Sequence, residues 1–476
     1  MDEISIKRAT LINAIAKYST VIMTVIFSAV LARILTPEDY GVVAIITVFT
    51  AFFAILSDMG LGTAVIQNKD LSEQDISSIF GFSMHIAIIL AIIFCFLSIP
   101  ISIIYNNDVY KPICLILSLA IIFNTLNMVP NALLMKKKKF VLVGKRMIIV
   151  NIITGILTII LAKLGLKYYA LVFQSVISSG ATFLWNYSST KPKMKFRYDK
   201  ESIQKVKSYS GFQFAFSIVN YFSRNLDNLL IGKFMGSVAL AYYDKGYKLM
   251  LYPVGNLTHV ITPVLHPILS EYQNDKKYIY TQYMKVVKIL SLLGVFVTVY
   301  CFFAAEEIIL IIFGEQWISA IPSFKFLALS IWAQMITSST GSIFQSLGNT
   351  RLMFISGTCT SIVSVIAIIV GLSFRNITAV AACVALAMNL SFFITYYILI
   401  KYGFELKLRE FFRNFISDIT IFIILSTTLY SISYFNVDNI LLSALYKGII
   451  CSIAYVVGLL LTKQHKVFKL LLNTKK

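Results

Sequence analysis

Apolar runs of about twenty residues recur along this chain from Ala9 to Leu461, separated by short polar breaks. A bilayer core roughly 30 Å thick needs about 20 helical residues per crossing, and a helix satisfies its own backbone polar groups there. The chain therefore reads as a bundle of membrane-spanning helices. A β-barrel is excluded, because the runs are too long and lack two-residue alternation. Measured against the bilayer, spans fall at 10–35, 40–66, 79–104, 113–135, 141–161, 168–188, 208–231, 238–261, 286–313, 322–347, 352–374, 377–400, 415–434 and 440–461. The expectation is an all-α polytopic membrane protein of about 14 transmembrane helices. The eighth span is the most polar, since it carries Asp244, Lys245, Lys248 and His259.

The formal charge of +20 invites a nucleic-acid reading, which the placement of the charges removes. Lys136, Lys137, Lys138 and Lys139 follow the fourth span with Lys145 and Arg146, and a run from Lys191 to Lys207 follows the sixth. Lys276, Lys277, Lys285 and Lys288, then Lys401, Lys407, Arg409 and Arg413, then the lysines from Lys463 onward fall on the same side if helices alternate. The opposite side holds few cations, such as Lys111, Lys163, Lys167 and Arg375, and Glu306, Glu307 and Glu315 make one of its loops acidic. By the positive-inside rule both termini are cytoplasmic. Met1 to Arg8 leads into a full-length helix without a small-residue cleavage site, so the first span reads as retained. The six cysteines are lone residues, read as packing, and the four histidines form no spaced set. Walker, zinc-ligand, nucleophile-elbow and dinucleotide motifs are missing, so neither a cofactor nor enzyme chemistry is expected.

An internal repeat is visible at an offset of about 200 residues. The break after the first span reads LARILTPEDYG from Leu31, and the break after the seventh reads LIGKFMGSVALAY from Leu230; each is a tight turn followed by a tyrosine. YNNDVY from Tyr105 matches FGEQW from Phe313, and MKKKKF from Met135 matches LGNTRLMF from Leu347. The implied organisation is an N-terminal lobe 1–190 of six helices, a basic linker 191–207, a C-terminal lobe 208–400 of six helices in parallel repeat, and a segment 401–476 with two more helices and a basic tail. Two such lobes suit alternating access, which makes a transporter the leading class.

Charges inside membrane helices are costly and mark function by default. Arg224, Arg33, Lys233, Lys245, Lys248 and Lys17 are the candidate substrate contacts, and Asp58, Asp227 and Asp244 the candidate ion-coupling groups. For Arg33, Lys233 and Lys245 the competing reading is snorkelling to the interface. Arg224 and Asp227 stand at i and i+3 on one helix face, so an internal salt bridge competes with substrate contact at Arg224. Asp58 lies in SDMGLG from Ser57, where a helix-packing anchor is the alternative. A cationic cavity favours an anionic headgroup, and an arginine fork suits phosphate. Tyr242, Tyr243, Tyr247 and Tyr252 read as an interfacial belt or as platforms for sugar rings.

ARILTPEDYGVVA from Ala32, with LSDMGLGTAVIQ from Leu56, resembles the start of the polysaccharide-type (Wzx-like) oligosaccharide flippases of the multidrug/oligosaccharidyl-lipid/polysaccharide exporter superfamily. NLDNLLIG from Asn225, YYDKGYKL from Tyr242 and PVLHP from Pro263 are similar to the seventh and eighth helices of that family. The resemblance implies a MATE-like fold of two six-helix lobes in a bacterial cytoplasmic (inner) membrane. It implies a flippase that moves undecaprenyl-diphosphate-linked oligosaccharide from the cytoplasmic to the outer leaflet for O-antigen, capsule or other surface polysaccharide. Its partners would be the lipid-linked oligosaccharide and membrane lipids, with a polysaccharide polymerase and glycosyltransferases alongside. No catalytic residue is carried over, because the family has no strict charged motif. The alternatives are a lipid II or multidrug exporter of the same superfamily, and a membrane-embedded glycosyltransferase or polymerase. The last would need paired carboxylates on large outer loops, and the outer loops here are short.

Overall fold

The computed structural model describes residues 6–58, 61–68, 70–193, 198–207, 211–258, 265, 268–435 and 437–467, and among these there is helix and turn but no strand. The chain divides into two compact units, Met1–Val238 and Ala239–Lys476. The first unit contains α1 Ile6–Ile34, α2 Pro37–Asp58, α3 Leu61–Gln67, α4 Glu73–Tyr105, α5 Tyr110–Lys136, α6 Phe140–Lys163, α7 Tyr168–Thr190, α8 Lys200–Lys207 and α9 Gly211–Met235. Within it α5 is the hub, packing on α4, α7, α3 and α2, while α6 joins α1 to α7 and α9 lies along α2.

The second unit contains α10 Ser237–Thr258, whose first residues belong to the preceding unit, then α11 Lys276–Phe303, α12 Ala305–Ile312 and a 3-10 turn Glu315–Ala320. It continues with α13 Ile321–Ala328, α14 Ile331–Thr337, α15 Thr340–Ser346, α16 Thr350–Ser373, α17 Ile377–Ile398, a π-helical turn Leu399–Gly403, α18 Leu408–Arg413, α19 Ile416–Ile432 and α20 Ile440–Leu461. Here α11 packs on α14, α13, α19 and α20, and α16 pairs with α17.

A helix stands at each of the fourteen expected positions, but the segments are not equally apolar. Among the described residues ten are long and apolar enough to cross a membrane, and an eleventh is added if Glu315–Ala328 and Ile331–Ser346, bent by 52°, form one span. The helices α7, α9 and α10, of 23, 25 and 22 residues, have the length and lack the apolarity. The expected second span is two helices, α2 and α3. The expected acidic loop at Glu306 and Glu307 is instead the helical α12, with Glu307 buried.

The outer surface explains the composition. Ile22, Ile26, Ile92, Phe96 and Ile366 are all exposed, Phe96 by 71 %. A side chain left that bare on a helix of a water-soluble protein would forfeit about 1.5–3 kcal/mol of burial; in hydrocarbon it forfeits nothing. Polar groups at the helix ends are used locally. Ser72 closes a capping box with Asp75 at the start of α4, and Asn349, Asn376 and Asn439 accept from backbone amides at the starts of α16, α17 and α20. Asp39 accepts from the Thr36 amide and hydroxyl and, from α7, the Tyr168 amide at 3.2 Å, which ties the first turn of α2 to that helix.

Candidate functional site

The expected contacts fall into two groups, one in each unit. In the first unit Lys17 is half-buried and Arg33 exposed, its Nη1 donating to the Ala29 carbonyl at 3.0 Å. Arg224 is exposed. Asp227, one turn further along α9, is buried and accepts from the Asn228 amide at 2.8 Å. Among the described residues no ion pair joins Arg224 to Asp227, so the carboxylate does not occupy the guanidinium. Lys233 is exposed and its ammonium donates to the Ile104 carbonyl near the C-terminus of α4, where the helix dipole favours a cation. Asp58 is the last residue of α2, and its side chain lies outside the described residues, as do His259 and His266.

The positions that α9 takes beside α2 and α4 follow from close contacts at one end of the unit. The Tyr105 hydroxyl donates to the Leu229 carbonyl at 3.2 Å, and the Tyr221 hydroxyl donates to the Val48 carbonyl. At Gly41 a Cβ would lie 1.9 Å from the Ser237 carbonyl oxygen, so the α2 backbone approaches the chain after α9 to a distance only glycine allows. Gly236, with φ of +88°, makes the left-handed turn that brings Ser237 there.

In the second unit Asp244 and Lys248 form an ion pair at 2.6 Å along α10, the carboxylate buried and the ammonium half in the open. Lys245 is buried, with its ammonium 4.7 Å from the Phe313 ring centroid and 5.2 Å from that of Trp317. An aromatic cradle of this kind stabilises a cation by its ring faces, so Lys245 does not snorkel. Asp244 is likewise engaged by its own helix neighbour, which makes it a paired group. A cavity of about 240 Å³ lies within this unit, lined by Val295, Thr298, Trp332, Asn389, Asp418 and Phe422. No group of metal-binding side chains occurs among the described residues.

Three polar centres were hidden from the sequence. In the first unit Arg146 on α6 is buried, and its Nη1 donates to Asn186 Oδ1 on α7 at 2.7 Å and to Asn131 Oδ1 on α5 at 3.2 Å. Asn186 Nδ2 in turn donates to Asn127 Oδ1 at 2.7 Å. In the second unit Lys288 on α11 pairs with buried Asp418 on α19, and Lys447 on α20 pairs with buried Glu307 on α12. Each partner looks like an isolated polar residue in its own helix, and Arg146 and Lys288 look like ordinary members of basic interface clusters. Only the fold brings them together.

These features define a polytopic helical membrane protein, with cations and carboxylates carried on α9 and α10, two of its least apolar long helices. Residues 30–322 match the family described as polysaccharide biosynthesis protein, and the chain belongs to that family. Among curated relatives it is 23 % identical over 344 residues to the teichuronic acid biosynthesis protein TuaB of Bacillus subtilis (strain 168), covering 72 % of this chain and 71 % of the relative. It is 22 % identical over 391 residues to the lipopolysaccharide biosynthesis protein WzxC of Escherichia coli (strain K12), covering 82 % and 80 %. Its fold is similar to that of the lipid II flippase MurJ in an inward closed conformation, with a TM-score of 0.75 at 16 % identity over 96 % of this chain and all (100 %) of that one. An inward-facing multidrug resistance MATE family transporter of the MOP superfamily is similar at a TM-score of 0.61 and 13 % identity over 81 % of this chain and 96 % of that one. The expected polysaccharide-type family and the all-helical membrane architecture thus stand.

Proposed function

We propose that this transporter flips an undecaprenyl-diphosphate-linked oligosaccharide from the cytoplasmic to the outer leaflet of a bacterial cytoplasmic membrane, by alternating access, for surface polysaccharide synthesis. The observation that carries the reading is the match of residues 30–322 to the polysaccharide biosynthesis family. Relatives named for teichuronic acid and for lipopolysaccharide share its length, which suits a conserved task on a common lipid carrier with different sugars attached. All fourteen helical segments cross in this proposal, α7, α9 and α10 being polar because they face water-filled or substrate-filled space. The lobes are 1–190 and 208–400, joined by 191–207, and 401–476 adds the last two helices. Both termini and the lysines at 136–139 are cytoplasmic by the charge asymmetry. A polymerase and glycosyltransferases work before and after the flip.

Within this proposal Arg224 contacts the diphosphate. Its guanidinium is exposed on a membrane helix and, among the described residues, takes part in no ion pair. The test is reconstitution in vesicles with a short-chain prenyl diphosphate disaccharide, following its passage between leaflets. Movement no faster than in protein-free vesicles rejects the flippase reading. If Arg224 binds the headgroup, Arg224→Ala abolishes movement and Arg224→Lys keeps a minor part, because an ammonium lacks the two-pronged fork. Rescue of Arg224→Ala by Asp227→Ala shows instead that the arginine serves only to balance a carboxylate.

A further inference from the structure

Arg146 is a buried cation without a counter-charge. Its exposure is 8 %, it lies about 9 Å of helical rise from the first residue of α6, and among the described residues no carboxylate pairs with it. In the second unit two partly buried lysines are neutralised, whereas buried Lys245 lies against aromatic rings. Lys288 has Asp418, and Lys447 has Glu307. At Arg146 the neighbours are carboxamides from two other helices, Asn131 and Asn186, the second itself held by Asn127. An asparagine offers the oxygen of an aspartate at the same place and withholds its charge.

The donor count shows what the three asparagines leave over. A guanidinium has five N–H groups. Both accepted bonds come from Nη1, which spends its two hydrogens on Asn186 and Asn131. The Nε–H and the Nη2–H groups remain, and together they form the side-on fork that matches two oxygens of a phosphate. Among the described residues the fully enclosed side-chain polar atoms without a partner are Asn151 Oδ1, Asn228 Oδ1, Glu307 Oε2, Ser323 Oγ and Tyr455 Oη, and no Arg146 nitrogen is among them. The free fork therefore keeps contact with open space. Lys136, Lys137, Lys138 and Lys139, which precede α6, ring the same end of the unit with positive charge.

From this geometry we infer that Arg146, fixed by Asn131 and Asn186, is an anion-binding subsite in the first unit that takes a diphosphate through its Nε/Nη2 fork. The inference rests on the flippase reading for the source of the diphosphate, the lipid carrier; the anion chemistry rests on the arginine alone. The asparagines pre-orient the fork, so that binding costs little side-chain ordering, and they keep the local charge at +1 until the anion arrives. The neighbouring lysines raise the local concentration of anions at that end.

The experiment uses the full-length protein in detergent micelles, reading thermal unfolding during titration with inorganic pyrophosphate and, separately, with farnesyl diphosphate, against sodium chloride at matched ionic strength. Wild-type protein is expected to be stabilised by both diphosphates, the farnesyl compound acting at a concentration at least tenfold lower. Equal potency of the two would overturn the lipid carrier as the source. Arg146→Lys should weaken the response at least tenfold, since charge is kept and the fork is lost. Asn131→Asp is the decisive variant, because it places a counter-charge on Arg146; Asn131 Oδ1 already accepts from Arg146 and, among the described residues, Asn131 Nδ2 donates no bond that would be lost, whereas Asn186 Nδ2 is used on Asn127. It should unfold at or above the wild-type temperature in the absence of ligand and lose the diphosphate response. Undiminished response in Asn131→Asp, or in Arg146→Lys, overturns the subsite, as does a wild type that responds only as it does to chloride. None of these readings requires transport, so a protein that binds and does not flip rejects the proposed function and leaves the subsite standing.

Discussion

Apart from Lys245, which lies against aromatic rings, the enclosed cations of the two units are held in opposite ways. In the second unit Lys288 and Lys447 each meet a carboxylate, and the pairs sew α19 to α11 and α20 to α12. Further bonds complete the first pair: Lys288 also donates to the Asn414 carbonyl at 2.8 Å and Ser417 Oγ at 2.7 Å, and Asp418 accepts from Ser291, which itself accepts from the Trp332 indole at 2.8 Å. In the first unit Arg146 is held by neutral amides that satisfy part of its hydrogen-bonding and none of its charge. Charge removed from water is tolerable when it is both paired and hydrogen-bonded. The second unit meets both conditions and gains fixed helices; the first meets one and keeps an unspent charge. Neutralisation makes Lys288 and Lys447 braces, and the unspent charge of Arg146 is the one the proposed subsite would use.

The comparison can be broken most sharply at Asp418. Asp418→Asn strands Lys288 and should cost about 3–5 kcal/mol, the range for a buried pair deprived of one partner. Thermal or denaturant unfolding in detergent measures it, and a loss below 1 kcal/mol would mean that the pair is no brace. Glu307→Gln should cost less, about 1–3 kcal/mol, because Lys447 still donates to the Phe303 carbonyl at 3.1 Å and the enclosed Glu307 Oε2 has no bond to lose. Arg146→Met sharpens the contrast from the other side: it removes an unpaired charge and orphans the Asn186 amide oxygen, Asn131 Oδ1 keeping the 3.5 Å bond from Asn186 Nδ2, terms of opposite sign, so the unfolding temperature should shift by less than for either carboxylate variant. The smallest effect belongs to the surface pair of Lys276 with Glu405 at 2.7 Å, both in solvent. The Lys276 ammonium holds the Glu405 carboxyl below the usual carboxylate range. Its stabilising contribution is therefore present above that range and disappears as pH falls through the lowered value, and Glu405→Gln should abolish this pH dependence while leaving the unfolding temperature at pH 7 nearly unchanged.

The helices were legible in the sequence because hydrocarbon accepts only long apolar segments with closed backbone bonding, and each of the fourteen expected positions holds a helix. Ends were less legible: α13 and α14 form one bent pair, and α2 stops at Asp58. Charged positions were easy to find, and their neighbours were not. Lys245 gives no sign in its own helix of the rings of Phe313 and Trp317 that enclose it. Lys288 and Asp418 are 130 residues apart, and Arg146 and Asn186 are 40 apart, so no local pattern announces either contact. Arg224 is far from either end of α9 and still exposed, and no local pattern in the sequence announces that.

The short helix α8 has a mechanical consequence for α9. Ser202 Oγ donates to Asp75 Oδ1 at 2.8 Å, and the Asp199 amide donates to Ser78 Oγ at 2.6 Å, so the basic segment before α9 is fastened to the first turns of α4. From the end of α8 at Lys207 to the start of α9 at Gly211 the chain has four peptide steps, a tether of at most about 15 Å. A helix on so short a leash can lean and swivel about its lower end, and it cannot travel along its own axis by the width of a membrane leaflet. Any stroke that α9 makes is then a lever's stroke, small at the fastened foot and greatest at the far end, where Lys233, Gly236 and Ser237 meet α4 and Gly41.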